Sequence, residues 1–185
     1  MKIALLISFI ILSSCSKNKL TLDNFNNSQR TILSNLLKEN DSILENKFGS
    51  TLANSYYKHL AELKNSENIS YALQKSLFVH DLRTCELFLN NDIFIVEDIT
   101  KFYGNEKIEA KMYNLNFKSP YIKFLDSISK QNQVIEEYNN ALKISGSLSP
   151  SSTAILLKKV IEDDLANDNI RLILGVHFLL LTNLQ

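Results

Sequence analysis

The chain has 185 residues, 45% of them hydrophobic and 22% charged, which is enough material for one domain with a real core. Twenty Lys and Arg balance 20 Asp and Glu, so there is no basic field of the kind that holds nucleic acid, and a nucleic-acid partner is not expected. Four glycines and two prolines leave few helix breakers. With apolar residues recurring mostly at spacings of three and four, the pattern predicts an all-α fold, a compact array of about six to eight helices.

In chain order, Met1 and Lys2 come first, then a stretch from Ile3 to Leu12 that is apolar but for Ser8. One positive charge ahead of such a run is the pattern of a signal peptide. The run is roughly half of what a helix needs to cross about 30 Å of hydrocarbon, so it reads as a targeting segment and not a permanent span.

The residues that close it, Leu12-Ser13-Ser14-Cys15, resemble the lipobox of bacterial lipoprotein precursors. In that class the cysteine thiol receives a diacylglycerol and a peptidase cleaves just before it. The resemblance therefore implies a signal peptide at 1–14, lipid attachment at Cys15, and a membrane partner reached through that lipid. Two or more acyl chains hold a protein stably, at about 0.8 kcal/mol per buried methylene. Ser16 resembles the neutral residue that permits transfer to the outer membrane in many Gram-negative species. The acidic stretch that follows the cysteine in surface-exported lipoproteins of some lineages has no counterpart before Asp23, so the resemblance implies a domain facing the periplasm. The segment 15–27 is expected to be a polar tether, with Lys17 and Lys19 close to the headgroup plane. Loss of Lys2 with the leader leaves 19 basic and 20 acidic side chains, a formal charge of −1. Cys85 is then the only thiol and has no intramolecular partner, so no disulfide holds this fold. Its apolar surroundings predict an inert buried cysteine.

A single helical domain is expected over 28–185. The first helix is predicted over 28–48, stopped by Gly49, with Ser50 capping a second that runs to Leu63. Asn65 and Ser66 end that helix and cap a third, over 69–89, whose wide apolar stripe suggests a central position. Asn90-Asn91-Asp92 then breaks the pattern. The segment 93–117 reads either as short helices, the first closed by Gly104, or as a hairpin pairing 93–96 with 113–117. Ser119-Pro120 opens the longest predicted helix, to Ser145 before Gly146, although Asn132 and Asn139 interrupt its stripe. Ser147-Leu148-Ser149-Pro150 reads as a linker into a helix carrying Ile155, Leu156, Val160, Ile161 and Leu165. A last helix, capped by Asn167 or Asp168, is apolar nearly all round and predicts a buried core element. Its apolar run is too short for a membrane span.

Motifs for catalysis are sparse. There is no Gly-rich phosphate loop, no Gly-x-Ser-x-Gly elbow, no His-Glu-x-x-His, no Cys-x-x-Cys and no Glu-x-x-His pair. His59 and Glu62 lie one helical turn apart beside Tyr56 and Tyr57 and have the chemistry to exchange a proton or bind a metal, but two ligands do not make a site. His80, near Asp81 and Cys85, and His177 read as core or boundary histidines that need hydrogen-bond partners. Glu136-Glu137 and Glu162-Asp163-Asp164 are neighbours in sequence that diverge on a helix, so acid-base cooperation within either run is not expected. No catalytic residue, cofactor or metal is assigned. The expected function is a non-catalytic helical binding or adaptor module engaging an envelope protein or peptide. The alternatives are an enzyme assembled around His59, Glu62 or His80 from distant helices, and an inhibitor or immunity-type lipoprotein.

Overall fold

In a computed structural model, residues 19–65, 76–78, 93–103 and 106–183 are described. The architecture is predominantly all-α. Six helices appear among these residues: α1 Asn27–Phe48, α2 Leu52–Lys64, α3 Pro120–Ser129, α4 Gln133–Ser145, α5 Pro150–Lys159 and α6 Asp168–Asn183. One antiparallel ribbon, β1 Phe94–Tyr103 with β2 Glu106–Leu115, interrupts them.

Local chemistry sets most helix ends. Asn26 and Gln29 form a reciprocal capping box at the start of α1, and Gly49 closes it in the left-handed conformation, φ 58°, with its N–H on the Glu45 carbonyl. Thr51, and not Ser50, caps α2 by accepting the Asn54 N–H, and Asn65 ends it as expected. The helix expected over 69–89 is not continuous, because Ser76, Leu77 and Phe78 are coil and bend. The remainder of that segment lies outside the described residues.

The hairpin reading holds over 93–117 and the helical one fails. Phe94 pairs with Leu115 and Val96 with Tyr113, and the register continues to Tyr103 opposite Glu106. Ile95, Val96, Ile99 and Thr100 are β-branched residues that crowd a helix and suit a pleated strand. Ile93, Phe94 and Leu115 at the base are buried, while Ile95, Glu97, Asp98 and Thr100 are exposed. The base is sewn to the body by Asn116 N–H to the Ile93 carbonyl (2.8 Å) and Leu115 N–H to the Gly146 carbonyl (2.6 Å).

The long helix expected over 119–145 is two helices. Ser119 and Pro120 open α3 as expected, the serine accepting the Ile122 N–H. At Asn132 the backbone becomes extended (φ −143°), and its side chain accepts the Ile135 N–H at 3.0 Å to start α4. Asn139 is buried and donates to Asp126 Oδ1 at 2.6 Å. The two asparagines that break the apolar stripe are thus a cap and a cross-helix bond. Ser149 caps α5, which stops at Lys159 instead of running through Leu165. Residues Glu162–Ala166 form a 3-10 turn, with the Ile161 N–H taken by Asp164 Oδ2 at 3.1 Å, a local side-chain bond that competes with helix continuation.

α6 lies at the centre, with residues 169–180 all buried. Each fully buried Leu, Ile, Val or Phe there contributes about 1.5–3 kcal/mol, so this helix dominates the core. Gly175 allows α1 to approach closely: a Cβ in its place would lie 2.5 Å from Asn40 Nδ2. The chain before α1 is also packed. Leu22 and Phe25 are core residues, the Thr21 N–H donates to Asn169 Oδ1 (2.8 Å), and Asn169 Nδ2 donates to the Lys19 carbonyl (3.1 Å). Within the segment expected to be tether, residues from 19 onward therefore belong to the body.

Candidate functional site

The pair singled out for proton or metal chemistry is His59 with Glu62 on α2. The His59 side chain is fully enclosed, whereas Glu62 is about half exposed (52%). Nε2 of His59 accepts the Leu77 N–H at 3.1 Å, which places the ring proton on Nδ1. That nitrogen is 3.6 Å from Glu62 Oε2, beyond hydrogen-bond length, while Glu62 takes an ion pair from Lys47 at 2.9 Å. Rings of Phe48 and Phe78 stand 6.3 and 5.2 Å from the imidazole. Burial lowers the His59 pKa to about 4, the neighbouring Glu62 carboxylate opposes this, and the Lys47 charge adds to it. An imidazole with no exposed edge cannot touch a substrate. Its role here is to pin the segment carrying Leu77 and Phe78 to α2, and Phe78 in turn stacks on Phe178 of α6 at 4.9 Å.

His177 on α6 is likewise enclosed, between two hydroxyls. Thr153 Oγ1 donates to the Ser149 carbonyl at 3.1 Å, so it accepts from His177 Nε2 (3.1 Å), and Nδ1 is left to accept from the Tyr138 hydroxyl at 3.0 Å. This one-way chain joins α4, α5 and α6. Burial lowers the His177 pKa to about 3 and, with Tyr121 nearby, raises that of Tyr138. Tyr121 is also pushed up by burial. Each group is held neutral in the core, and the partner that the sequence requires of His177 is supplied by Tyr138 and Thr153.

A third cluster was not foreseen. Arg171, near the start of α6, is 5% exposed. Its guanidinium meets both oxygens of Asp41 on α1 (3.0 and 3.3 Å), Asp168 Oδ1 (2.8 Å) and the Leu165 carbonyl (2.8 Å). Tyr56 of α2 donates its hydroxyl to Asp41 Oδ1 at 2.9 Å, and Arg171 lies 5.7 Å from that ring. The available signal was one arginine inside an apolar helix, a charge that must be paired when buried.

The acidic runs do separate structural work. Glu162 accepts from Asn54 (3.1 Å), Asp164 accepts from Asn132 (2.7 Å), and Asp163 is exposed. Glu137 pairs with Lys159, while Glu136 is exposed on α4. Cys15, His80, Asp81 and Cys85 lie outside the described residues. Among the described residues, no three His, Cys, Asp or Glu side chains gather as a metal set, and no helix is long and apolar enough to cross a membrane.

The geometry thus brings together ionisable groups that close on one another inside the helical body, and it includes, among the described residues, a two-stranded ribbon whose strands pair only with each other. An unpaired strand edge exposes backbone N–H and C=O groups that can receive a further strand. The chain matches no protein-family model, no curated protein and no solved structure with which it was compared.

Proposed function

We propose that this chain is a lipid-anchored protein of a bacterial cell envelope, held at the outer membrane on its periplasmic side by acyl chains on Cys15, whose helical body is a non-catalytic binding or adaptor module. The observation that carries the anchoring is the sequence Leu12-Ser13-Ser14-Cys15 directly after the apolar run. A binding role is supported by the inward placement of His59, His177, Arg171 and their partners, which leaves the His59 and His177 imidazoles out of reach of a substrate. It is supported too by the ribbon, where Ile95, Glu97, Asp98, Thr100 and Lys107 to Glu109 are exposed. The partner in this reading is an envelope protein or peptide, not nucleic acid.

Radiolabelled palmitate tests the anchor: wild-type chain incorporates it and Cys15→Ser does not, and equal labelling of the two ends the proposal. Protease added to intact cells leaves the body uncut and cleaves it only after the outer membrane is permeabilised. Cleavage in intact cells would reverse the assigned side.

A further inference from the structure

The connection between the anchor and the body is short enough to orient the molecule. Three residues, Ser16 to Asn18, separate Cys15 from Lys19, and four steps at roughly 3.3–3.6 Å per residue reach no more than about 14 Å, whatever their conformation. The body takes hold of the chain at that point. Asn169 grips Lys19 and Thr21, its own N–H donates to Asn167 Oδ1 (2.9 Å), the Asn167 N–H donates to the Asp164 carbonyl (3.1 Å), and Asp164 Oδ1 accepts from Asn132 at the first turn of α4 (2.7 Å). One hydrogen-bonded hub therefore joins the point of chain entry to the N-terminus of α4.

The other end of α4 belongs to the ribbon. Gly146, which caps α4, accepts the Leu115 N–H at the ribbon base. The 13 residues of α4 separate the two ends by about 20 Å, at 1.5 Å per residue. The Asn132 end of the hub and the ribbon base thus stand at opposite ends of one helix.

We propose that the hub formed by Lys19, Asn132, Asp164, Asn167 and Asn169 is the membrane-facing end of the body, set against the lipid surface by the three-residue connection, and that the ribbon β1–β2 is displayed from the membrane-distal end. This rests on lipid attachment at Cys15. The hub carries Asp163, Asp164 and Asp168 against Lys19 and Lys130, so surface charge does not draw it to an anionic leaflet and the covalent connection sets the orientation. A partner strand meeting the ribbon then approaches from the side away from the bilayer.

Lysine footprinting of the full-length lipidated protein on phosphatidylethanolamine–phosphatidylglycerol vesicles tests the orientation without altering the body. Lys130, two residues from the Asn132 cap, and Lys107 on β2 are both exposed and mark the two ends. Relative to the full-length Cys15→Ser chain free in solution, acetylation of Lys130 slows several-fold on the vesicles and that of Lys107 does not change. Equal slowing of the two, or slowing of Lys107 alone, overturns the orientation while the anchor stands. Failure of the wild-type chain to incorporate palmitate and float with vesicles overturns the anchor, and the orientation falls with it.

Discussion

Arg171 and Asp41, 130 residues apart in the chain, meet in a two-point contact, Nε to Oδ1 at 3.0 Å and Nη2 to Oδ2 at 3.3 Å. The contact ties the start of α6 to α1, and Tyr56 adds α2 through the same carboxylate. A planar fork on a carboxylate fixes direction as well as distance, so it sets the register between these helices where apolar packing alone would tolerate sliding.

Removing one member of this set leaves the other charged in a dry place. Asp41→Asn strips Arg171 of its main counter-charge, leaving Asp168 and a carbonyl, and weakens the Tyr56 bond. The loss expected is about 3 kcal/mol, at the lower end for a broken buried pair because Asp41 retains some solvent. Arg171→Met keeps much of the packing volume and removes the more deeply buried charge, while the Asp41 carboxylate it leaves keeps the Tyr56 hydroxyl and some solvent, so it costs less than Asp41→Asn. Urea unfolding followed by circular dichroism ranks the two, and the reverse order would show that the arginine acts through packing.

At Gly175 the neighbour is Asn40 and the space is already taken. Ala is the better helix former by about 1 kcal/mol, which favours the substitution if nothing intervenes. The Cβ would come within 2.5 Å of Asn40 Nδ2, and Asn40 is 1% exposed, with little room to move. Overlap wins, and Gly175→Ala destabilises by about 1–3 kcal/mol. A rise in thermal midpoint would mean that α1 yields to the added methyl.

Asn132 does two things at once, capping α4 and donating to Asp164 at the hub. Asn132→Ala removes both and costs about 1–2 kcal/mol, while Asn132→Asp restores the cap but sets a second carboxylate beside Asp164. Stability in the order wild type, Asp, Ala in high salt, with the Asp form gaining most from added salt, is the expected denaturation series.

Much of the helical plan was legible because helix ends are local events. Gly49, Asn65, Ser119-Pro120 and Gly146 each act within a few residues, and the structure uses each where the sequence places it. The ribbon was legible only as an alternative, since Ile95, Val96 and Ile99 satisfy a three-four spacing as well as a strand pattern, and the choice is made by Leu115 and Tyr113 across the turn. The break at Asn132 was visible as an interrupted stripe, but its meaning depended on Asp164, which is 32 residues away. The Arg171 cluster showed locally only an arginine in an apolar helix, and nothing of its partners on α1 and α2. Its members come from α1, α2 and α6, and nothing in the periodicity of one helix reports which charge on another it will meet. His177 stood between these cases: its need for a partner was evident, and the identity of that partner was not.

Acid should weaken the fold well before its carboxylates protonate. His59 and His177 have folded-state pKa values lowered to about 4 and about 3, in both cases chiefly by burial, from the ordinary imidazole value of about 6.5. Between those limits the unfolded chain binds protons that the folded chain refuses, so stability is full above about pH 6.5 and falls as the pH drops toward 4. The slope is about 1.4 kcal/mol per pH unit for each histidine. Asp126 and Glu62, whose pKa values are lowered in the fold, lose their contribution only as the pH passes below the ordinary carboxylate range, so the interval from pH 6.5 to 5 isolates the imidazoles. His177→Gln offers the hydroxyls of Tyr138 and Thr153 an amide that does not titrate. It should lower stability at pH 7.5, where the native pair of bonds is lost, and reduce the pH slope to about half, because His59 still titrates. The measurement is the urea midpoint at pH 7.5, 6.5, 5.8 and 5.0 for both proteins. A midpoint that does not move with pH in the wild type, or a slope that survives intact in His177→Gln, would show that His177 is reached by solvent and is not held neutral by the core.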